Sequence, residues 1–262
     1  MKNIHPTAII EDGAKIGEDV SIGAYAFIGK EVGIGNGTSI GSHTVIEGIT
    51  TIGANNQIFS HATIGSIPQD LKYAGERVEL IIGDNNRIRE YTLLNPGTQG
   101  GGGVTRVGSD NLLMGYVHLG HDVILGDHCI LANGATLAGH VELGNYVVIG
   151  GLTPIHQFVH IGDYAMIAGA SALSQDIPPY CLAEGNRAYL RGLNLTGLRR
   201  NFTKDDINAL KSTYRELFES KKPLQDVASA LFETSENPNV KYMCRFILDS
   251  KRGIPFKRNE QL

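Results

Sequence analysis

The 262-residue sequence has no tryptophan and only three cysteines, Cys129, Cys181 and Cys244. No two of them stand in a CxxC spacing, which argues against ribbon-type zinc sites, and an odd, scattered set builds no disulfide framework. There is no run of 18 apolar residues, so no stable insertion into a membrane is expected. The amino terminus, MKNIHPTAII, lacks the long apolar segment of a secretory signal. Sparse cysteines suit a reducing compartment, and the expected location is cytoplasmic. Net charge is also low, −4, and no nucleic-acid partner is expected. The charge is uneven, however. Residues 181–262 carry 15 Lys and Arg against 10 Asp and Glu, whereas residues 1–180 carry 8 against 17. A basic tail on an acidic body suits an acidic partner or a phosphorylated ligand, and equally a solvated helical surface.

What the sequence does have is a six-residue beat. Isoleucine recurs without a miss from Ile4, Ile10 and Ile16 to Ile52, Ile58 and Ile64. The beat returns at Ile82, Ile88 and Leu94, then runs for twelve hexads from Val107 to Leu173. Counting the aliphatic residue as the first place, glycine often takes the second, and the fifth is usually small or β-branched, as at Ala8, Val20, Val123 and Cys129. Helices want apolar residues three or four apart and strands want them two apart. A period of six instead fits a short strand plus a corner, repeated: the signature of a parallel β-helix. Glycine is expected to mark the corners, where a missing Cβ costs least.

The beat is interrupted at 66–81 (SIPQDLKYAGERVELI) and 96–106 (PGTQGGGGVTR), and insertions of this length inside a compact domain are usually functional. It ends after Pro178-Pro179. Thr203-Lys-Asp-Asp206 reads as a capped helix start. Further helical stretches are expected near Leu224–Glu233 and Asn239–Leu248, covering the open end of the coil.

With three hexads per coil, residues 18 apart stack on neighbouring rungs about 4.8 Å apart. His121, Gly139 and Gln157 then form one outward column, all in third place. A histidine one rung from a glycine N–H is a minimal acyl-transfer pair: the ring takes a proton and the N–H holds the oxyanion. His118 and His140 flank it as ligand contacts. Gly115, Asn133, Gly151 and Gly169 form a second column, a slot wide enough for a narrow apolar chain. The residues also allow other readings: a solvated surface histidine at 121, or a zinc site from His118, His121 and His140. His43, His61, His128 and His160 read as surface residues.

PQDLKYAGE in the first interruption, HLGHD at His118–Asp122, ILANGATLAGH, IGGLTPIHQF and EGNRAYLRGLNLTGLRR resemble the UDP-N-acetylglucosamine acyltransferase family over essentially the whole chain. The hexads are shared with many acyltransferases; PQDLKYAGE is far more specific. The resemblance implies a mainly β fold: a left-handed parallel β-helix over 1–185, then an α-helical domain over 186–262. It implies transfer of a (3R)-hydroxyacyl group from acyl carrier protein to the 3-position of a UDP-sugar in lipid A biosynthesis, by a homotrimer without metal or cofactor. Carried over by motif, His121 is the general base, Asp122 its carboxylate partner and Gly139 the oxyanion donor. Their contact needs a bend at Asp122, because neighbours on an extended strand face opposite ways. Asp70, Lys72, His118, His140 and Gln157 match substrate contacts, with Asp70 and Lys72 reaching a neighbouring subunit's cleft. Asn194, Arg199 and Arg200 match the nucleotide contacts, and Gly169 the position that limits acyl length. Thr196 and Arg187 depart from some members, which carry an acidic residue and a histidine there. The acceptor atom, hydroxyl or amine, stays open. A purely structural β-helix does not explain the irregular histidines or loops, and an acetyl-CoA enzyme would have no reason to carry PQDLKYAGE.

Overall fold

The structure is a computed structural model that describes residues 3–256; the outer ends of the two expected segments, 1–2 and 257–262, lie outside it. Most first-place residues close a strand of two residues, such as Ser21–Ile22, Phe27–Ile28 and Gly33–Ile34. Three such strands make one coil, and each pairs in parallel with the strand one coil away. Ile22 registers with Ile40, Ile40 with Ile58, and Leu113 with Leu131. Among the described residues the strands form three sheets of eleven, eight and eight.

First-place side chains fill the prism: Ile28, Ile46, Ile64, Leu94, Leu119 and Leu137 are all wholly buried. Fifth-place Val20, Ala26, Val123 and Cys129 are buried beside them. Each large aliphatic residue so placed stabilises the fold by roughly 1.5–3 kcal/mol before chain entropy is set against it. At the amino-terminal end of the described coil, first-place Ile4 remains exposed and Ile10 and Ile16 are only half-buried.

The corners differ from the sequence expectation. The left-handed backbone falls on the fourth place rather than on most second-place glycines: Asp19, Tyr25, His43, Tyr91, Asp122 and His140 all have φ near +60°, and Gly13, Gly37 and Gly134 share that place with positive φ. Such a conformation costs an L-residue roughly 1–2 kcal/mol. At one corner the side chains offset part of this by stacking, Tyr25 on His43, His61, Tyr91 and Tyr116, with successive centroids 4.9–5.2 Å apart. The second-place glycines answer to close approach between coils. A β-carbon on Gly35 would lie 2.5 Å from the carbonyl carbon of Gly53.

Both interruptions leave the coil where expected, but they return early. Glu79–Ile82 pairs with Ile49–Ile52 and with Val104–Val107, so four-residue strands take up the ends of both insertions. Alternation of half-buried Glu79 and Ile81 with buried Leu80 and Ile82 explains the extension.

After the last coil the edge of the eleven-stranded sheet is covered by a hairpin, not by the helices themselves. Cys181–Glu184 pairs with Met166–Ile167 and, antiparallel, with Tyr189–Leu193. Residues 185 and 186 lie in its turn. Four helices follow: α1 (Leu195–Asn201), α2 (Lys204–Phe218), α3 (Leu224–Thr234) and α4 (Pro238–Asp249). The Thr203 hydroxyl accepts from the Asp206 N–H, the cap read from the sequence. The helices dock through rings: Phe202 meets Tyr164 and Tyr180 edge-on, and the Tyr242 hydroxyl donates to Asp163.

Candidate active site

Leu119 and Val123 are buried, so the corner between them must turn outward. The left-handed backbone at Asp122 (φ 59°) makes that turn. It supplies the bend that strand alternation could not: His121 Nδ1 and Asp122 Oδ2 lie 2.8 Å apart. With a carboxylate as acceptor, Nδ1 must carry the proton, which leaves Nε2 of the neutral ring as the available base.

Asp122 is held from several sides. Its Oδ1 accepts from the Thr98 N–H at 2.9 Å, its Oδ2 from the Thr98 hydroxyl at 2.6 Å, and its own N–H donates to Thr105 Oγ1 at 2.8 Å. The side chain is 1% exposed. A buried carboxylate is tolerable only when so satisfied. Thr98 sits in the second interruption and had no periodic register to point to it.

The His121 ring lies on Gly139. A β-carbon on Gly139 would fall 2.5 Å from Nε2 and 3.0 Å from Nδ1, so glycine is required by space rather than by φ. Third-place amides at another corner are capped by side chains of the next coil: Ser109 by Asp127, Asp127 by Asn145, and Asn145 by Asp163. Gly139 has no such cap, and among the described residues its N–H has no acceptor.

His140 follows with φ 62°, stacked on Phe158 at 4.3 Å and edge-on to His121 at 4.9 Å. Burial lowers its pKa, and the nearby Asp122 charge opposes this only in part. His118 is half-buried, its Nδ1 3.2 Å from the Leu93 carbonyl. Burial lowers its pKa too, against that carbonyl. Both rings are therefore neutral, polar contacts at pH 7.

Asp70 and Lys72 share a cleft with His140 within one chain. They line a cleft of about 690 Å³ with Glu76, Thr98, Gln99, His140 and Phe158. Gln157 is exposed, one coil beyond Gly139. Gly169 is exposed, and a β-carbon there would meet Gly151 O at an ordinary 3.4 Å, as the second column requires. Arg199 and Arg200 are exposed in the last turn of α1. Asn194 is buried and structurally engaged: its Oδ1 caps the Gly197 N–H and its Nδ2 donates to the Tyr164 carbonyl.

The metal alternative changes its membership. His121, Asp122 and His140, rather than His118, bring ligand atoms within 4.8 Å of one another. Two ligands of one tetrahedral zinc stand roughly 3.3 Å apart, given bonds of about 2.0–2.1 Å. The 2.8 Å between Nδ1 and Oδ2 is a hydrogen-bond separation instead.

Known proteins resemble this chain over nearly its whole length. Residues 176–255 match the family model described as UDP N-acetylglucosamine O-acyltransferase, domain 2, and residues 104–139 match the bacterial transferase hexapeptide model. An acyl-[acyl-carrier-protein]–UDP-N-acetylglucosamine O-acyltransferase from a Sulfurovum species is 75% identical, over 98% of this chain and 99% of the relative. One from Aliarcobacter butzleri is 67% identical over 98% and 100%. The solved UDP-N-acetylglucosamine acyltransferase of Campylobacter jejuni superposes with a TM-score of 0.94 at 52% identity, covering 98% of this chain and all of that one.

Proposed function

The chain belongs to the acyl-[acyl-carrier-protein]–UDP-N-acetylglucosamine O-acyltransferase family, and we propose that His121, Asp122 and Gly139 are the groups with which it performs that transfer. The fold is accordingly a left-handed parallel β-helix with an α-helical carboxyl-terminal domain, and the reaction is the first step of lipid A biosynthesis. The acyl donor is a (3R)-hydroxyacyl thioester of acyl carrier protein, and the acceptor is the 3-position of the UDP-sugar. His121 Nε2 removes the acceptor proton as the sugar oxygen attacks the thioester carbonyl. A C–O bond forms, and the oxyanion is held by the Gly139 N–H. When the intermediate collapses, the C–S bond breaks and the imidazolium returns its proton to the departing sulfur. Asp122 keeps the ring in the reactive tautomer and stabilises the imidazolium.

The single observation that carries this reading is the His121 ring resting on Gly139, whose amide is free, while Nδ1 is fixed by Asp122. Asp70, Lys72, His118, His140 and Gln157 contact substrate. Arg199 and Arg200 meet the phosphates, as guanidinium groups do well. Asn194 can join them, since its oxygen and amide each keep one bonding site beyond the cap. Gly169 limits the acyl chain. No metal or cofactor takes part, the enzyme works in the cytoplasm, and three copies form the active trimer. Support for the trimer is exposed apolar surface on two neighbouring corners, Leu152 on one and Phe158, beside the cleft, on the next.

Purified protein incubated with hydroxyacyl carrier protein, UDP-N-acetylglucosamine and its 3-amino analogue tests the reading. Mass spectrometry should find a 3-O-acyl sugar, and light scattering a mass of three chains. Acylation from acetyl-CoA but not from the carrier protein would refute it.

A further inference from the structure

The proposed base and its carboxylate lie on the coil, but most of what holds the carboxylate does not. Thr98, in the second interruption, supplies two of the three donors to the Asp122 side chain, one to each oxygen. His121 supplies the third. The same excursion closes over the group: a β-carbon on Gly101 would collide with the Asp122 carboxylate, and Gly101 and Gly103 donate their N–H groups to the Thr98 carbonyl. Thr98 is itself 5% exposed, so its hydroxyl has no bulk water to turn to. Val at its position would keep the branched volume and the N–H while removing only the O–H.

We propose that Thr98 is a positioning residue of the reaction, fixing the Asp122 carboxylate so that His121 Nε2 faces the acceptor over Gly139. The proposal rests on His121 being the base. Without the hydroxyl, Oδ2 keeps one donor, His121, and is free to rotate away from it within the pocket. A displacement of about 1 Å in such a pair lowers turnover by up to about a hundredfold.

The test compares wild type, Thr98→Val, Thr98→Ser and His121→Ala in the trimeric enzyme, measuring kcat, KM for both substrates and thermal melting. Thr98→Val should lose about tenfold or more of kcat with both KM values within about threefold. Thr98→Ser should restore kcat. A Thr98→Val enzyme with wild-type kcat overturns the proposal. So does a loss that Thr98→Ser shares, or one carried by KM rather than kcat. If His121→Ala is as active as wild type, the base reading itself has failed, whatever Thr98 does.

Discussion

The imidazole of His121 occupies the volume that a β-carbon on Gly139 would need. This packing relation, between residues 18 apart in sequence and one coil apart in space, makes the next substitution informative. Gly139→Ala must push the ring off its seat, breaking either the 2.8 Å bond to Asp122 or the alignment with the free amide. Turnover should fall by about 10²-fold or more, in the range for a lost oxyanion donor. The backbone at 139 is not left-handed, so the coil itself is not strained. An active Gly139→Ala enzyme with an unchanged melting temperature would refute the arrangement.

His121→Ala should reduce turnover by about 10²–10⁴-fold, the usual contribution of a positioned base. Nucleotide and acyl-donor binding should hold, because the coil packs on Leu119 and Val123 and not on the ring. His128→Ala is the matched control. Its ring stacks on Tyr146 at 4.6 Å, on a different corner. Equal losses in the two variants would remove His121 from its role.

Gly169→Met should shorten the preferred acyl chain and leave the fold intact. Its Cβ meets Gly151 O at 3.4 Å, which needs no movement, and the longer side chain then obstructs the slot. The check is a competition between donors of different length in one reaction. Unaltered preference argues that the chain lies elsewhere.

Acidification should weaken the fold through His118 and His140. Burial is the main reason that both rings resist protonation in the folded chain. In the unfolded chain they take up protons near pH 6.5. Above that value both states are neutral and stability is complete. As pH falls from about 6.5 through the lower folded pKa values, the unfolded state gains protons that the fold refuses, and stability declines. Urea melts between pH 8 and about 5 measure the slope. His118→Asn should flatten it, and a slope identical to wild type would discount this histidine.

The coil was legible because its period is rigid. Counting six from Ile4 places the buried first-place residues up to Leu94, a second count from Val107 places those up to Leu173, and counting 18 from His121 finds Gly139. Corner chemistry was not legible in the same way. The bond between His121 and Asp122 depends on a left-handed Asp, and residues as different as Tyr25, His43 and Asp122 share that place. Glycine does take the corner at Gly13, Gly37 and Gly134, but the second-place glycines that drew attention mostly let coils touch. Thr98 escaped notice because an excursion from the coil has no beat to count. Asn194 was noticed for its motif, but its engagement as the α1 cap follows from tertiary contacts with Gly197 and Tyr164.

The pairing of every coil strand with the one a full coil away has a consequence for how such a chain can change length over generations. Gain or loss of one coil, three hexads, preserves the face on which each later corner points. A single hexad added between His121 and Gly139 would turn everything after it by a third of a revolution, sending Gly139 to another side of the prism. Length inside the coil is thus quantised by the site, while the excursions, which leave and re-enter on one rung, are free to vary residue by residue. New specificities on this scaffold have a natural place to arise there, without disturbing the count.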